Sequence, residues 1–301
     1  MSDYHIPVLL KESVKGLNIK PSGIYVDLTF GAGSHSRAIL ELLGEQGRLI
    51  VFDQDEDALA NAFEDKRMTF IDSNFRYLKQ YLDYLEIEKV DGILGDLGVS
   101  SHQLDEEERG FSYRFNKVLD MRMNMAMPMN ANQILNQYNF EKLVDVFSAY
   151  GEVRNSKTLA RKIIEQRNNV MPWTAERFNA LLRQNKVGTE NKYFAQVYQA
   201  LRIEVNAELE VLKEILLVGK EVLKEEGRFV MISYHSLEDR LVKRFFKTGN
   251  LEGKLDKDEF GRSLCPFKLI NRQIITASAD EITANSRSKS GKLRIAELIR
   301  S

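Results

Sequence analysis

Three aspartates close short apolar runs: Asp27 ends "YVD", Asp53 ends "LIVFD" and Asp96 ends "ILGD". Such acids, at the carboxyl ends of strands, lie where open α/β sheets bind their ligands. Gly31 and Gly33 follow the first of them in "DLTFGAGSHS" (Asp27 to Ser36). Glycines between a strand and a helix let backbone amides approach a nucleotide-like ligand closely. A dinucleotide fingerprint needs a third glycine for helix packing, and Ser36 stands there instead. Asp53 lies twenty residues after Gly33, where doubly wound folds offer a carboxylate to ribose hydroxyls. Its competing role is to cap the helix of "EDALANAF", and Asp55 is at hand so that both roles can be filled. In "FIDSNFRYL", Phe75 reads as an apolar wall against an adenine or as a core phenylalanine.

The elements that would position these groups follow from pattern. Gly23 to Leu28, Leu49 to Phe52 and Val90 to Gly95 are β-type runs, each followed by a helix-like stretch. Alternation of this kind predicts βαβ units and a parallel sheet with helices on both faces. The sheet resumes late, in "GRFVMISYHS" (Gly227 to Ser236), after the helical stretch "NAELEVLKEILLVGKEVLKEEG". From about Arg109 to Val205 the spacing is helical throughout, as in "NFEKLVDVFSAYG", "NSKTLARKIIEQRN" and "TAERFNALLRQ", each with a Ser, Thr or Asn near its start to serve as a cap. The expected organisation is an α/β domain over residues 1–108 and 206–301, interrupted by an all-helical domain over residues 109–205.

Composition bounds the rest. The chain has 301 residues and a formal net charge of −1, which argues against a protein that coats nucleic acid nonspecifically. The charge is uneven: residues 151–192 hold nine Lys/Arg against four Asp/Glu, and residues 240–300 hold fourteen against seven. These are solvated helix faces or a surface that receives a polyanion. The single cysteine, Cys265, excludes an internal disulfide and a cysteine-rich zinc site. No apolar run approaches the roughly 20 residues of a membrane span, and no signal peptide is visible, so a cytoplasmic protein is expected.

The pattern D-x-x-x-G-x-G from Asp27 to Gly33 resembles the first motif of S-adenosylmethionine-dependent methyltransferases. The stretch "DGILGDLGVSSHQLDEEERGFS" (Asp91 to Ser112) narrows the resemblance, being too polar for a simple connection. With "HIPVLLKE" (His5 to Glu12), "FDQD", "LDMRM" (Leu119 to Met123), "QALRIEVNAEL" (Gln199 to Leu209), "GRFVMISYHSLEDRLVK" (Gly227 to Lys243) and "SRSKSGKLRIAE" (Ser286 to Glu297), the chain resembles the bacterial small-subunit (16S) ribosomal RNA cytosine-N4 methyltransferases, the RsmH/MraW family. These stretches run in order through nearly the whole chain. The resemblance implies a Rossmann-like class I methyltransferase fold with a helical insertion that recognises RNA. It also implies S-adenosylmethionine contacts at Gly33, Ser34, His35, Asp53, Phe75, Asp96 and Gln103, with Asp27 and Gly31 organising the loop. The substrate it implies is a cytidine of the decoding region, in an assembled or nearly assembled small subunit. Two positions depart from the family: Ser34 stands where a glycine is usual, and Val118 where a proline precedes "LDMRM". The amide survives at Ser34, so binding is expected to survive.

The amine of cytosine is a poor nucleophile, whereas a sulfonium methyl group is strongly activated. Catalysis then consists of in-line positioning plus an acceptor for the N–H proton, with no metal and no covalent intermediate. Asp96 is the candidate acceptor; its alternative role is to bind the amino group of the cofactor. "Asp96-Leu97-Gly98" lacks the Pro-Pro-aromatic stretch of standalone amino-methyltransferases, so a stacking aromatic must come from Phe111, Tyr113, Phe115 or Tyr234. His235 binds base or phosphate, or is a structural histidine. Arg287, Lys289, Lys292 and Arg294 are expected on RNA phosphates. Two rivals remain: a cytosine C5-methyltransferase using Cys265 as nucleophile, and a noncatalytic ribosome-assembly factor that keeps the cofactor pocket for stability.

Overall fold

The computed structural model describes residues 7–299, so His5 and Ile6 of "HIPVLLKE" and Arg300 of the basic carboxyl-terminal stretch lie outside the described residues. Among the described residues seven strands form one sheet: β1 (Ile24–Asp27), β2 (Arg48–Asp53), β3 (Met68–Asp72), β4 (Val90–Asp96), β5 (Leu223–Ser233), β6 (Phe267–Leu269) and β7 (Lys292–Leu298). Their order is β3-β2-β1-β4-β5-β7-β6. The first five run parallel, while β7 is antiparallel to both β5 and β6. The fold is thus mixed α/β, as the alternating pattern predicts. Order along the sheet reverses at β1, which lies between β2 and β4, and such switch points open a crevice at the carboxyl ends of the strands.

Successive strand residues point to opposite faces. Val26, Ile50, Phe52, Ile93, Phe229 and Met231 join one apolar cluster with Leu212, Leu216, Phe245 and Phe246. Their neighbours Tyr25, Leu49, Val51, Leu94, Val230 and Ile232 join another with Leu17, Ile39 and Leu40. Both faces are therefore covered, which explains why the central strands read as continuous apolar runs rather than alternating ones.

Two elements depart from expectation. β5 starts at Leu223, not at Gly227, and the helix before it, Glu208–Val222, stops accordingly. The register against β4 shifts between Val90↔Leu223 and Gly92↔Arg228, with Glu226 in the left-handed region at φ 63°. The charged run Lys224 to Glu226 is a bulge inside a strand, which its composition disguises as helix. The helix after β2 is only Glu56–Leu59, capped by Asp55, whose carboxylate accepts from the Asp57 N–H at 3.2 Å.

The chain forms two compact units, residues 1–98 with 209–301, and residues 99–208. The second begins ahead of Arg109 because Val99 and Leu104 pack on its core. Its principal helices are Ala131–Gln137, Phe140–Ala149, Ser156–Gln166, Ala175–Asn185 and Glu190–Asn206. They close on Trp173, Phe147, Phe178 and Leu201, all fully buried. Asn139 and Thr174 cap as their positions suggest, whereas Asn155 makes no cap bond and donates to the Asn185 carbonyl at 2.7 Å. Much of "RGFS", "LDMRM" and "RIEVN" proves architectural. Buried Arg109 donates to the carbonyls of Arg122 and Met123 at 3.1 and 3.0 Å. Asn206 accepts from the Met123 N–H and donates to the Met121 carbonyl, both at 2.8 Å. No helix among the described residues is long and apolar enough to cross a membrane.

Candidate active site at the carboxyl edge of the sheet

Parallel register aligns the strand-end acids: Asp27 is level with Val51 and Leu94, and Asp53 with Asp72. Asp27 is fully buried. Its carboxylate accepts from the Thr29 N–H at 3.1 Å and from the Ser36 hydroxyl at 2.7 Å. Ser36, where a dinucleotide fingerprint has glycine, thus pins the acid beneath the loop. Burial pushes Asp27 up to about 7 against these hydrogen bonds. Thr29 extends the link sideways, its hydroxyl oxygen accepting from the Asp96 N–H at 2.8 Å.

The two glycines do different work. Gly33, at φ +74°, starts the helix Ser34–Leu42, and a Cβ there would stand 2.8 Å from the Phe30 ring. Phe30 is held edge-on by Phe70 at 5.1 Å, so Gly33 is required by packing. Gly31, at φ +53°, has no atom within 4 Å of where a Cβ would stand. Its N–H donates to Asp53 Oδ2 at 2.8 Å and its carbonyl accepts from the Asn61 amide at 3.1 Å. A rigid peptide bordered by open space is a cradle that a side chain would fill.

Asp53 also accepts from the Asp55 N–H at 3.0 Å, while Asp55 caps the helix, so the two acids divide the two roles. Burial raises Asp53 to about 6, opposed by hydrogen bonds from the Asp55 and Gly31 amides. Ser34 is the first residue of its helix and His35 is buried behind it. Phe75 follows Asn74, which caps a short turn of helix after β3, and lies half-buried against the sheet core.

Asp96 ends β4 beside Ile232 of β5. Its Oδ1 accepts from the Tyr234 hydroxyl at 2.7 Å. Burial pushes Asp96 up to about 7; the Tyr234 hydrogen bond opposes this, and the charges of Asp27 and Glu238 add to it. Sequence reasoning considered Tyr234 only as a stacking ring. The one signal of a pairing was its position one residue beyond a strand that neighbours β4.

Other expected residues fall elsewhere. Gln103 lies in the second unit, where its side-chain oxygen accepts from the Ser100 N–H at 3.0 Å in a capping box for the helix Ser101–Asp105. His235 is the N-cap of the helix Ser236–Thr248: Nδ1 accepts from the Glu238 N–H at 3.4 Å and Nε2 lies 3.1 Å from Glu238 Oε1. Phe111 is buried in the helical core, and Tyr113 packs edge-on against Phe194 and Tyr198. Arg287 and Lys289 occupy the turn Ser286–Ser290 before β7. Lys292 opens β7 opposite Ser233, at the same sheet edge as Asp96. Arg294 is mostly buried: its guanidinium donates to Asp239 Oδ1 at 2.7 Å, with only 13% of the side chain exposed, an ion pair that ties β7 to the helix Ser236–Thr248; Lys292 Nζ lies 3.9 Å from the same carboxylate.

Cys265 precedes β6, whose first residue pairs with Leu298 at the amino-terminal edge of β5, the end of the sheet opposite to Asp96. Its Sγ lies 3.6 and 3.5 Å from the carbonyls of Phe246 and Phe267, and burial raises the thiol. That is the reverse of what a thiolate nucleophile requires. A cavity of about 820 Å³ also opens at that far edge, lined by Lys89, Lys220, Lys224 and Pro266 among others; no predicted site residue borders it.

The profile of the MraW methylase family matches residues 2–299. The chain belongs to this family. Among curated relatives, a protein of Christiangramia forsetii named ribosomal RNA small subunit methyltransferase H is 54% identical over 297 residues, covering 98% of each chain. One of the same name from Bacteroides thetaiotaomicron is 54% identical over 296 residues, covering 98% of this chain and 97% of its own. Among solved structures, an rRNA methylase from Streptococcus thermophilus aligns over 98% of this chain and 99% of its own, at 11% identity and a TM-score of 0.40. Family membership gives the row of strand-end acids a methylase frame.

Proposed function

We propose that this protein transfers a methyl group from S-adenosylmethionine to the exocyclic N4 of a cytidine in small-subunit (16S) ribosomal RNA, in the decoding region of an assembled or nearly assembled subunit. Membership of a methylase family and the names of relatives 54% identical over almost the whole chain support the reaction and the RNA. The observation that carries the site is the pairing of an open glycine cradle at Gly31 with a carboxylate, Asp96, along one sheet edge.

The donor set fits the cofactor. Asp53 has a carboxylate at the strand end for ribose hydroxyls, Phe75 an apolar face for adenine, and Gly31, Gly33, Ser34 and His35 a backbone turn for the methionine part. When bound, the sulfonium supplies a methyl group already activated for displacement. The chain's own task is then to hold the target nitrogen in line and to receive its proton, which Asp96 does from the edge of the crevice. Tyr234 presents the aromatic face for a base taken out of its stack. The helical unit is the RNA-recognition element, Arg287, Lys289 and Lys292 of the α/β unit meet phosphate, and the cytoplasm is where the substrate is met.

Incubation with labelled cofactor and small subunits, followed by digestion to nucleosides, tests the reading. N4-methylcytidine is expected from the wild type and from Cys265→Ala alike. Labelled 5-methylcytidine that vanishes in Cys265→Ala would establish the C5 rival, and absence of label would establish the assembly-factor rival.

A further inference from the structure

Asp96 is held unsymmetrically. Its backbone N–H is tied to Thr29, and the next amide, of Leu97, donates to the Ile232 carbonyl at 3.0 Å. Its Oδ1 takes the Tyr234 hydroxyl at 2.7 Å, whereas Oδ2 receives no hydrogen bond among the described residues. The side chain is only partly covered. Tyr234 is itself rigid. Its N–H donates to Glu238 Oε2 at 2.9 Å. Gly98, at φ +94°, brings the chain after Asp96 against the ring, since a Cβ there would stand 3.6 Å from Tyr234 Cδ2.

We propose that Tyr234 is a positioning residue for methyl transfer: its hydroxyl fixes the rotation of the Asp96 carboxylate and favours its charged form, so that Oδ2 is presented to the cytosine amine as the proton acceptor. This rests on the reading of Asp96 given above. As the new carbon–nitrogen bond forms, the sulfur–carbon bond breaks and its electron pair stays on sulfur. The nitrogen, now cationic, releases a proton to Oδ2, and no other reactant is needed. Tyr234 does not take that proton in place of Asp96, because its hydroxyl proton is already given to Oδ1 and the oxygen of a protonated phenol is a far weaker base than a carboxylate. Burial and the charge of Asp96, with further contributions from Glu238 and Glu281, push the phenol far above its ordinary range, so it stays protonated.

The groups facing Asp96 are Tyr234, Asp27 and Glu238. Only Tyr234 favours its charged form, since a donated hydrogen bond stabilises a carboxylate and nearby acids oppose it. Removing the hydroxyl therefore raises the Asp96 titration, by about one to two pH units for a hydrogen bond to a charged group.

The test compares wild type, Tyr234→Phe and Asp96→Asn, measuring single-turnover methylation of small subunits from pH 6 to pH 9.5, cofactor affinity and thermal melting. Phenylalanine keeps the stacking ring. The expected result is a Tyr234→Phe rate at pH 7 reduced roughly 5- to 50-fold, recovering toward wild type near pH 9, with cofactor affinity unchanged, melting lowered by only a few degrees and Asp96→Asn inactive at every pH. A wild-type profile for Tyr234→Phe, or a loss that pH does not rescue, overturns the positioning role while an inactive Asp96→Asn leaves the acceptor reading standing. A fully active Asp96→Asn overturns the acceptor and this inference with it.

Discussion

Replacing Gly31 by alanine separates what the loop needs for folding from what it needs for its ligand. Beyond the adjoining residues of the chain, no atom lies within 4 Å of the new methyl group, so no packed neighbour must move. The folding cost is confined to the backbone, which at φ +53° is the left-handed region that disfavours an L side chain by roughly 1–2 kcal/mol. Gly261 supplies a matched control. It sits at φ +78°, again with no such atom within 4 Å, in the loop closed by the bridge Lys257↔Ser263. Each variant should melt a few degrees lower, at about 2–4 °C per kcal/mol for a chain of this size. On the proposed site, only Gly31→Ala places a methyl group in the path of the cofactor, and an overpacked contact costs about 1–3 kcal/mol. That corresponds to roughly 5- to 150-fold weaker binding. Calorimetric titration with S-adenosylmethionine reads the affinity and differential scanning calorimetry the stability. Wild-type affinity in Gly31→Ala, or an equal loss in Gly261→Ala, would refute the assignment of this space to the cofactor.

Asp27 makes apo-protein stability pH-dependent. Its folded-state value, about 7, lies above the ordinary 3.8. Its stabilisation is thus complete below pH 3.8 and is lost as pH rises through 7. Asp27→Asn cannot ionise, so its stability relative to wild type should grow by on the order of a few kcal/mol between pH 4 and pH 8. Denaturant titrations across that range measure this, and parallel curves would contradict it. In the basic turn, the triple variant Arg287→Ala, Lys289→Ala, Lys292→Ala should bind RNA more weakly, with a log–log salt slope shallower by about two to three, and should keep its cofactor affinity. Arg294→Ala should instead lower the melting temperature by breaking the Asp239 ion pair. An unchanged salt slope in the triple variant would exclude phosphate contacts there.

Much of the α/β sheet was legible because its signals are local. Apolar runs ending in Asp27, Asp53 and Asp96, each followed by helical spacing, specify strands, their order along the chain and the acids at their carboxyl ends. Leu223 as a strand start was not legible, since its pairing with Val90 is a tertiary fact and the charged bulge after it reads as helix. The same limit applies to the partner of Arg294: the antiparallel pairing of β7 with β5 brings it to Asp239, whose place on a separate helix no spacing reveals. His235 reads as a candidate ligand because histidine can do chemistry, yet it caps a helix.

By itself the sequence determined the residue types that can meet an activated methyl group and a polyanion, and the local turn that exposes Gly31, because turn chemistry and periodicity depend on neighbours in the chain. Tertiary structure alone decided that Ser36 anchors Asp27, that Gly31 borders open space while Gly33 is walled in by Phe30, and that Tyr234 meets Asp96 across 138 residues of chain. Those relations depend on the order in which strands assemble, and that order is set by burying both faces of the sheet at once.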